Sequence, residues 1–222
     1  MTRSGFIRLL EGKGYFYEIK GDKIVVTSGR RATYDDNAYF DIRSIPSGVV
    51  FKNGGKVDLK KLTSLPPGVE FDNKGDVYLH ALTSLPPDVV FKNKGGVELR
   101  SLTSLPPGVK FMNIGPVDLR ALTSLPPDVV FRNKNRDNSM WMGDVYLNAL
   151  TSLPPGVEFK NEGDVGLYSL TSISPGVEFK NEGNVKLYAI MYESFNRWKG
   201  NIEGIDSKRL FNFMINKGLF ER

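Results

Sequence analysis

The chain has 222 residues, no cysteine, 25% charged and 40% hydrophobic residues, and a formal net charge of +5. That length suffices for one domain or two small ones with a real core, and the lack of cysteine excludes a disulfide framework or a thiolate metal site. The basic residues are spread among acids, so the charge permits an anionic ligand or nucleic acid without arguing for either.

Residues 4–12 carry Phe6, Ile7, Leu9 and Leu10 at a spacing that predicts a short amphipathic helix. "GYFYEIKGDKIVVTS" then predicts a hairpin turning at Lys20-Gly21-Asp22-Lys23, with Ile24-Val25-Val26 as the first strand onto which later elements stack. "SGRRATYDDNAYF", Ser28 to Phe40, reads as a loop presenting Arg30, Arg31 and Tyr34. Residues 1–41 are thus expected to form an N-terminal cap of helix, hairpin and loop.

From Ile42 onward one unit recurs. Its first positions are Ile42, Leu62, Leu82, Leu102, Leu122, Leu150 and Leu170. The spacing is twenty residues throughout, save for eight extra residues in the fifth unit. The eighth position is always Val, from Val49 to Val177, and the tenth always Phe, from Phe51 to Phe179. The twelfth is always Asn, from Asn53 to Asn181, and each unit closes with Val-x-Leu, such as Val77 and Leu79. V-x-F-x-N and V-x-L alternate apolar with polar residues, which is strand chemistry. Glycines such as Gly75, Gly95, Gly115, Gly163 and Gly183 sit between the two strands and are expected to supply positive φ there. Twelve of the 13 prolines mark the other corner.

Two short strands and two corners at fixed length describe one coil of a solenoid, whose apolar side is buried only by its neighbours. The fold class expected is therefore mainly β: a right-handed solenoid of about seven 20-residue coils over residues 42–189. The Asn column is expected to be an amide-to-amide ladder, and the Thr-Ser pairs to bond local backbone. "IDSKRLFNFMINKGLFER" predicts a C-terminal helical cap, within residues 190–222, that starts at Asp206 or Ser207.

LTSLPPG at a twenty-residue period resembles the short leucine-rich repeats of bacterial effector proteins, and more closely the LTSLPPGV-repeat proteins encoded by bacteriophages. The resemblance covers roughly residues 42–190. Here the Asn follows the Phe strand, unlike the usual leucine-rich pattern, so a straighter two- or three-sided β-solenoid is expected in place of a horseshoe. What the resemblance implies is a protein-binding scaffold aimed at a host factor.

Two places break or decorate the repeat. The insertion at 134–143, within "NKNRDNSMWMGD", carries Arg136, Met140, Trp141 and Met142, residue types enriched at interfaces. The Val-x-Leu strands present two outward columns that share one surface. They place Tyr78, His80, Arg100, Arg120, Tyr146 and Tyr168 together, mixed in charge toward the N-terminal coils and more aromatic toward the C-terminal ones.

Catalysis finds little support, with one His and no nucleophile–base pair at fixed positions. No cofactor and no metal are expected. The leading expectation is a non-enzymatic scaffold in the cytoplasm of a bacterial host cell, binding a host protein through the loop and the Val-x-Leu face. The alternatives are sequestration of an anionic nucleotide-type ligand and a structural part of a virion, oligomerising through its terminal caps. Nucleic acid is disfavoured. No stretch approaches the roughly eighteen apolar residues a membrane span needs, and no secretory signal is recognisable.

Overall fold

The computed structural model describes residues 1–30, 36–134 and 143–187. It is a β-solenoid. Helix α1 (Arg3–Lys13) leads into strand β1 (Tyr15–Lys20), strand β2 (Lys23–Arg30) and strand β3 (Ala38–Tyr39). Seven coils follow, each giving one short strand around its Phe and one around its Val-x-Leu. The first set extends a 9-stranded sheet from β1 and β2, and the second extends an 8-stranded sheet from β3. These are called here the phenylalanine sheet and the valine sheet. A 2-stranded sheet at Ser152–Leu153 and Ser172–Ile173, with a bridge between Ser104 and Ser124, begins a third side at the Thr-Ser corner.

Coil-to-coil pairing is parallel and in register, for example Phe111 with Phe91 and Phe131, and Val117 with Val97 and Val145. Identical positions therefore stack. Leu, Val and Phe of every unit fill one continuous core, and Phe51 through Phe179 form a column of rings. Neighbouring rings lie 5.5, 5.4, 5.3, 5.7, 5.2 and 4.9 Å apart and within 11° of parallel. Each ring pair adds about 0.5–1.5 kcal/mol beyond area burial.

The N-terminal end is covered as the sequence predicts, with one addition. Thr2 caps α1, its side chain accepting from the Gly5 amide, and Gly14 ends it in the left-handed region. The β1–β2 hairpin is antiparallel, and Ile24, Val25 and Val26 pair in parallel with Val49, Val50 and Phe51. The addition is β3. The end of the stretch read as a loop is a strand whose Ala38 and Tyr39 pair with Val57 and Asp58. Phe40 beyond it is buried against Phe6, Tyr15 and Phe51, at the foot of the ring column. Arg31 and Tyr34 lie outside the described residues, as does the Arg30 side chain.

Three interior details differ from the expectation. The Asn column is a ladder, but its amides bond backbone and not one another. Asn73 Nδ2 donates to Gly75 O of its own coil at 2.8 Å and to Gly55 O of the preceding coil at 3.0 Å, and Asn161 repeats this with Gly163 and Gly143. A carbonyl two residues ahead is closer than another amide one coil away. The Thr hydroxyls likewise reach across coils: Thr63, Thr123 and Thr171 donate to the carbonyls of Arg43, Thr103 and Thr151.

Positive φ, expected at Gly75, Gly95, Gly115, Gly163 and Gly183, is absent from those five and lies at the other corner. Gly48, Gly68, Gly108, Gly156 and Gly176, with Asp88 and Asp128 in the same column, are left-handed just after the prolines. Gly75, Gly95, Gly115, Gly163 and Gly183 are needed for a different reason: a Cβ at Gly115, for instance, would run into the backbone of Gly95 and Gly96 one coil below.

The solenoid is described as far as Leu187, so the expected C-terminal helix lies outside the described residues. Among those residues no helix is long and apolar enough to cross a membrane.

Candidate binding face

The outer side of the valine sheet is built by three positions of each unit. The residue between Val and Leu and the residue after Leu are the two columns that the strand period places side by side. The third lies just before the Val. Asp76, Asp144 and Asp164 occupy it, and each accepts from a backbone N–H one coil on, that of Gly96, Asp164 and Asn184 respectively, at 2.7, 2.8 and 2.7 Å. This column was missed in the sequence, although a recurring Asp-Val dipeptide marks it.

Stacking brings charges from successive coils into one chain. His80 Nε2 and Glu98 Oε2 are 2.6 Å apart, and Arg100 Nη2 reaches the same carboxylate oxygen at 2.9 Å. Arg100 Nε donates to Asp118 Oδ2 at 3.2 Å. Arg120 grips the same carboxylate with two bonds, Nε to Oδ1 at 2.8 Å and Nη2 to Oδ2 at 2.6 Å. Asp118 is only 5% exposed. Burial alone would raise its carboxyl, but the hydrogen bonds and charge of Arg120, with the charge of Arg100, hold it below the ordinary carboxylate range. Both guanidiniums remain about half exposed, oriented from below by the acids they grip.

The tyrosines stand beside this chain. Tyr78 donates to Asp76 Oδ2 at 3.0 Å and meets His80 edge-on, and the Lys60 ammonium lies 4.7 Å from its ring centre. Tyr146 donates to Asp144 Oδ2 at 2.9 Å. Burial and the adjacent carboxylates push the Tyr78 hydroxyl up to about 12 and the Tyr146 hydroxyl higher still. Both stay protonated donors through neutral pH and supply no base.

Between the guanidiniums of Arg100 and Arg120 and the side chains of Tyr146, Asn148 and Tyr168 runs an open groove of about 460 Å³. Asp76, Gly96, Glu98, Pro116 and Asp118 complete its lining. Gly166, paired with Tyr146 across the coil, sits between the rings of Tyr146 and Tyr168.

Six of the residues singled out from the sequence are therefore on one face, but not in one place. Arg100, Arg120, Tyr146 and Tyr168 line the groove, whereas Tyr78 and His80 flank it in an earlier coil. His80 is half-buried and bonded, not a free surface group. Arg136, Met140, Trp141 and Met142 lie outside the described residues. The extra segment itself is sharply bounded: Lys134 N bonds Asn113 O, and Asn133 Nδ2 bonds Gly143 O as though Gly143 followed Lys134 directly. Among the described residues no cluster of three or more His, Asp or Glu could hold a metal ion.

Comparison with protein-family models, with curated proteins and with solved structures returned no match.

Proposed function

We propose that this chain is a non-enzymatic binding scaffold that recognises a protein through the outer face of its valine sheet. The observation that carries this reading is the groove itself. Exposed guanidiniums, fixed in direction by Asp118 and Glu98, face Tyr146 and Tyr168 across an open channel on a rigid parallel sheet. Arg and Tyr are the side chains that concentrate binding energy at protein interfaces, and pre-orientation lowers the entropy lost on docking. The resemblance to phage LTSLPPGV-repeat proteins extends the reading to a phage-encoded protein that blocks or redirects a host or defence factor in the bacterial cytoplasm.

Sequestration of a free anion by Arg100 and Arg120 is the weaker reading. Both guanidiniums are already engaged by acids, and three carboxylates (Asp76, Glu98 and Asp118) line the groove against two guanidiniums.

Native mass spectrometry of the tagged protein drawn from bacterial lysate tests this, run beside the Tyr146→Ala/Tyr168→Ala double variant. A stoichiometric protein retained by the wild type and lost by a normally folded variant is the expected result. Equal retention by both removes the face from the reading, and a small mass released only on denaturation replaces it with the ligand reading.

A further inference from the structure

The phenylalanine sheet has an outer face of its own, independent of the groove. Three positions per coil point outward there: before the Phe, after it, and after the Asn. In the third, fourth and fifth coils they are Val90, Lys92 and Lys94; Lys110, Met112 and Ile114; and Val130, Arg132 and Lys134. The pairing places these coils side by side in register, Lys110 next to Val90, and Phe111 between Phe91 and Phe131. The nine positions thus form one patch, about 10 Å from first coil to third.

The patch contains five cations and no carboxylate. All five are exposed, and among the described residues none of them has an ion pair. The coils on either side differ. Below, Glu70 pairs with Lys23 and Asp72 with Lys52; above, Glu158 pairs with Lys160 and Glu178 with Lys180. Glu158 also feels the charge of Arg132, yet its own bond is to Lys160. Among the described residues, acids therefore pair with Lys23, Lys52, Lys160 and Lys180 on either side of the patch and with no cation inside it. At the centre of the unneutralised zone Met112 is 50% exposed, with Val90, Ile114 and Val130 half-buried around it.

We infer that this patch is a docking surface for an acidic protein segment that carries an apolar side chain. The five cations supply charge complementarity, and Met112 supplies a soft contact for the apolar anchor. A nucleic acid fits less well, since the patch holds no aromatic ring on which bases stack and Met112 would face phosphate. The chain's own undescribed C-terminal stretch does not fit either. Residues 188–222 carry six Lys and Arg against four Asp and Glu.

The test is fluorescence anisotropy with a labelled peptide of repeated Glu-Glu-Leu units. Oligoglutamate and oligothymidylate of equal length are the comparisons. The wild type should bind the Glu-Glu-Leu peptide more tightly than oligoglutamate or oligothymidylate, with affinity falling as salt rises. Lys92→Gln/Lys110→Gln/Arg132→Gln should weaken the peptide about tenfold with an unchanged circular dichroism spectrum. Met112→Ser should remove the preference for the leucine-containing peptide. Equal peptide binding by the triple variant, no binding even at low salt, or tighter binding of oligothymidylate would each overturn the inference. None of these results bears on the valine-sheet groove, whose residues are untouched by the variants.

Discussion

The two long sheets are written by the same twenty-residue unit, yet their outer faces are in opposite electrostatic states. On the valine sheet, acids and cations alternate up the stack, from Glu98 through Arg100 and Asp118 to Arg120, and each charge answers its neighbour. On the phenylalanine sheet, three successive coils place Lys92, Lys94, Lys110, Arg132 and Lys134 together, and none of them has an ion pair among the described residues. Both faces rest on the same ladder of Phe, Val and Leu. The interior columns are fixed by packing, because any change there leaves a hole or a clash against two neighbours. The exterior columns are free, and what a face becomes depends on which residues meet one coil apart.

The largest effect should come from breaking what the faces share. Phe111→Ala removes a fully buried ring stacked on both Phe91 and Phe131, and should cost about 3–5 kcal/mol in urea unfolding. Binding at both faces should weaken with it. Next comes Arg120→Ala, which leaves the Asp118 carboxylate buried with only Arg100 beside it, at a cost of about 1–3 kcal/mol at neutral pH. The pH profile should separate this from simple loss of packing. The folded Asp118 carboxyl is held below its ordinary value of 3.8, so its contribution is present above that pH and is lost as pH falls through the folded value. The variant should show a shallower loss of melting temperature on acidification.

A smaller effect is expected at the alkaline end. The Tyr78 hydroxyl rises from 10.0 to about 12 on folding, so the folded state favours the protonated form. Its contribution is intact below pH 10.0 and disappears as pH climbs through about 12. Tyr78→Phe should flatten thermal stability across that window and, at neutral pH, cost about 0.5–1.5 kcal/mol for the lost bond to Asp76. Smallest of all is Lys92→Gln/Lys110→Gln/Arg132→Gln, which should alter stability by less than about 0.5 kcal/mol per site, since no described pair is broken. A large loss there would show that the patch is structural and undo the contrast between the faces.

Much of this was legible in the primary structure. Seven Val-x-Phe and seven Val-x-Leu segments at constant spacing leave parallel stacking as the economical way to bury Phe51 through Phe179, and the hairpin was marked by Gly21 at its turn. The shared face of Tyr78, His80, Arg100, Arg120, Tyr146 and Tyr168 followed from strand period, but not that only the last four line the groove. What was not legible depends on distances between coils. Asn73 satisfies the Gly55 and Gly75 carbonyls because stacking puts both within reach, and no pattern within one unit says so. The role of Gly115 is likewise set by the coil below it, not by its own turn. Strand β3 escaped notice because two residues without the repeat's signature carry no periodic signal. Asp118 sits between Val117 and Leu119 like its counterpart in every unit, and its grip by two arginines from different coils appears only once the columns are stacked.

The seam between Lys134 and Gly143 has a consequence for how such a molecule diversifies. Asn133 closes its coil onto Gly143 through the same side-chain bond that its counterparts make to a glycine two residues ahead. The coil therefore closes across that point through the bond that every other coil uses. A segment there can be lengthened, shortened or exchanged as a cartridge while every rung above and below keeps its register. New recognition chemistry can then evolve at a single address without renegotiating the fold.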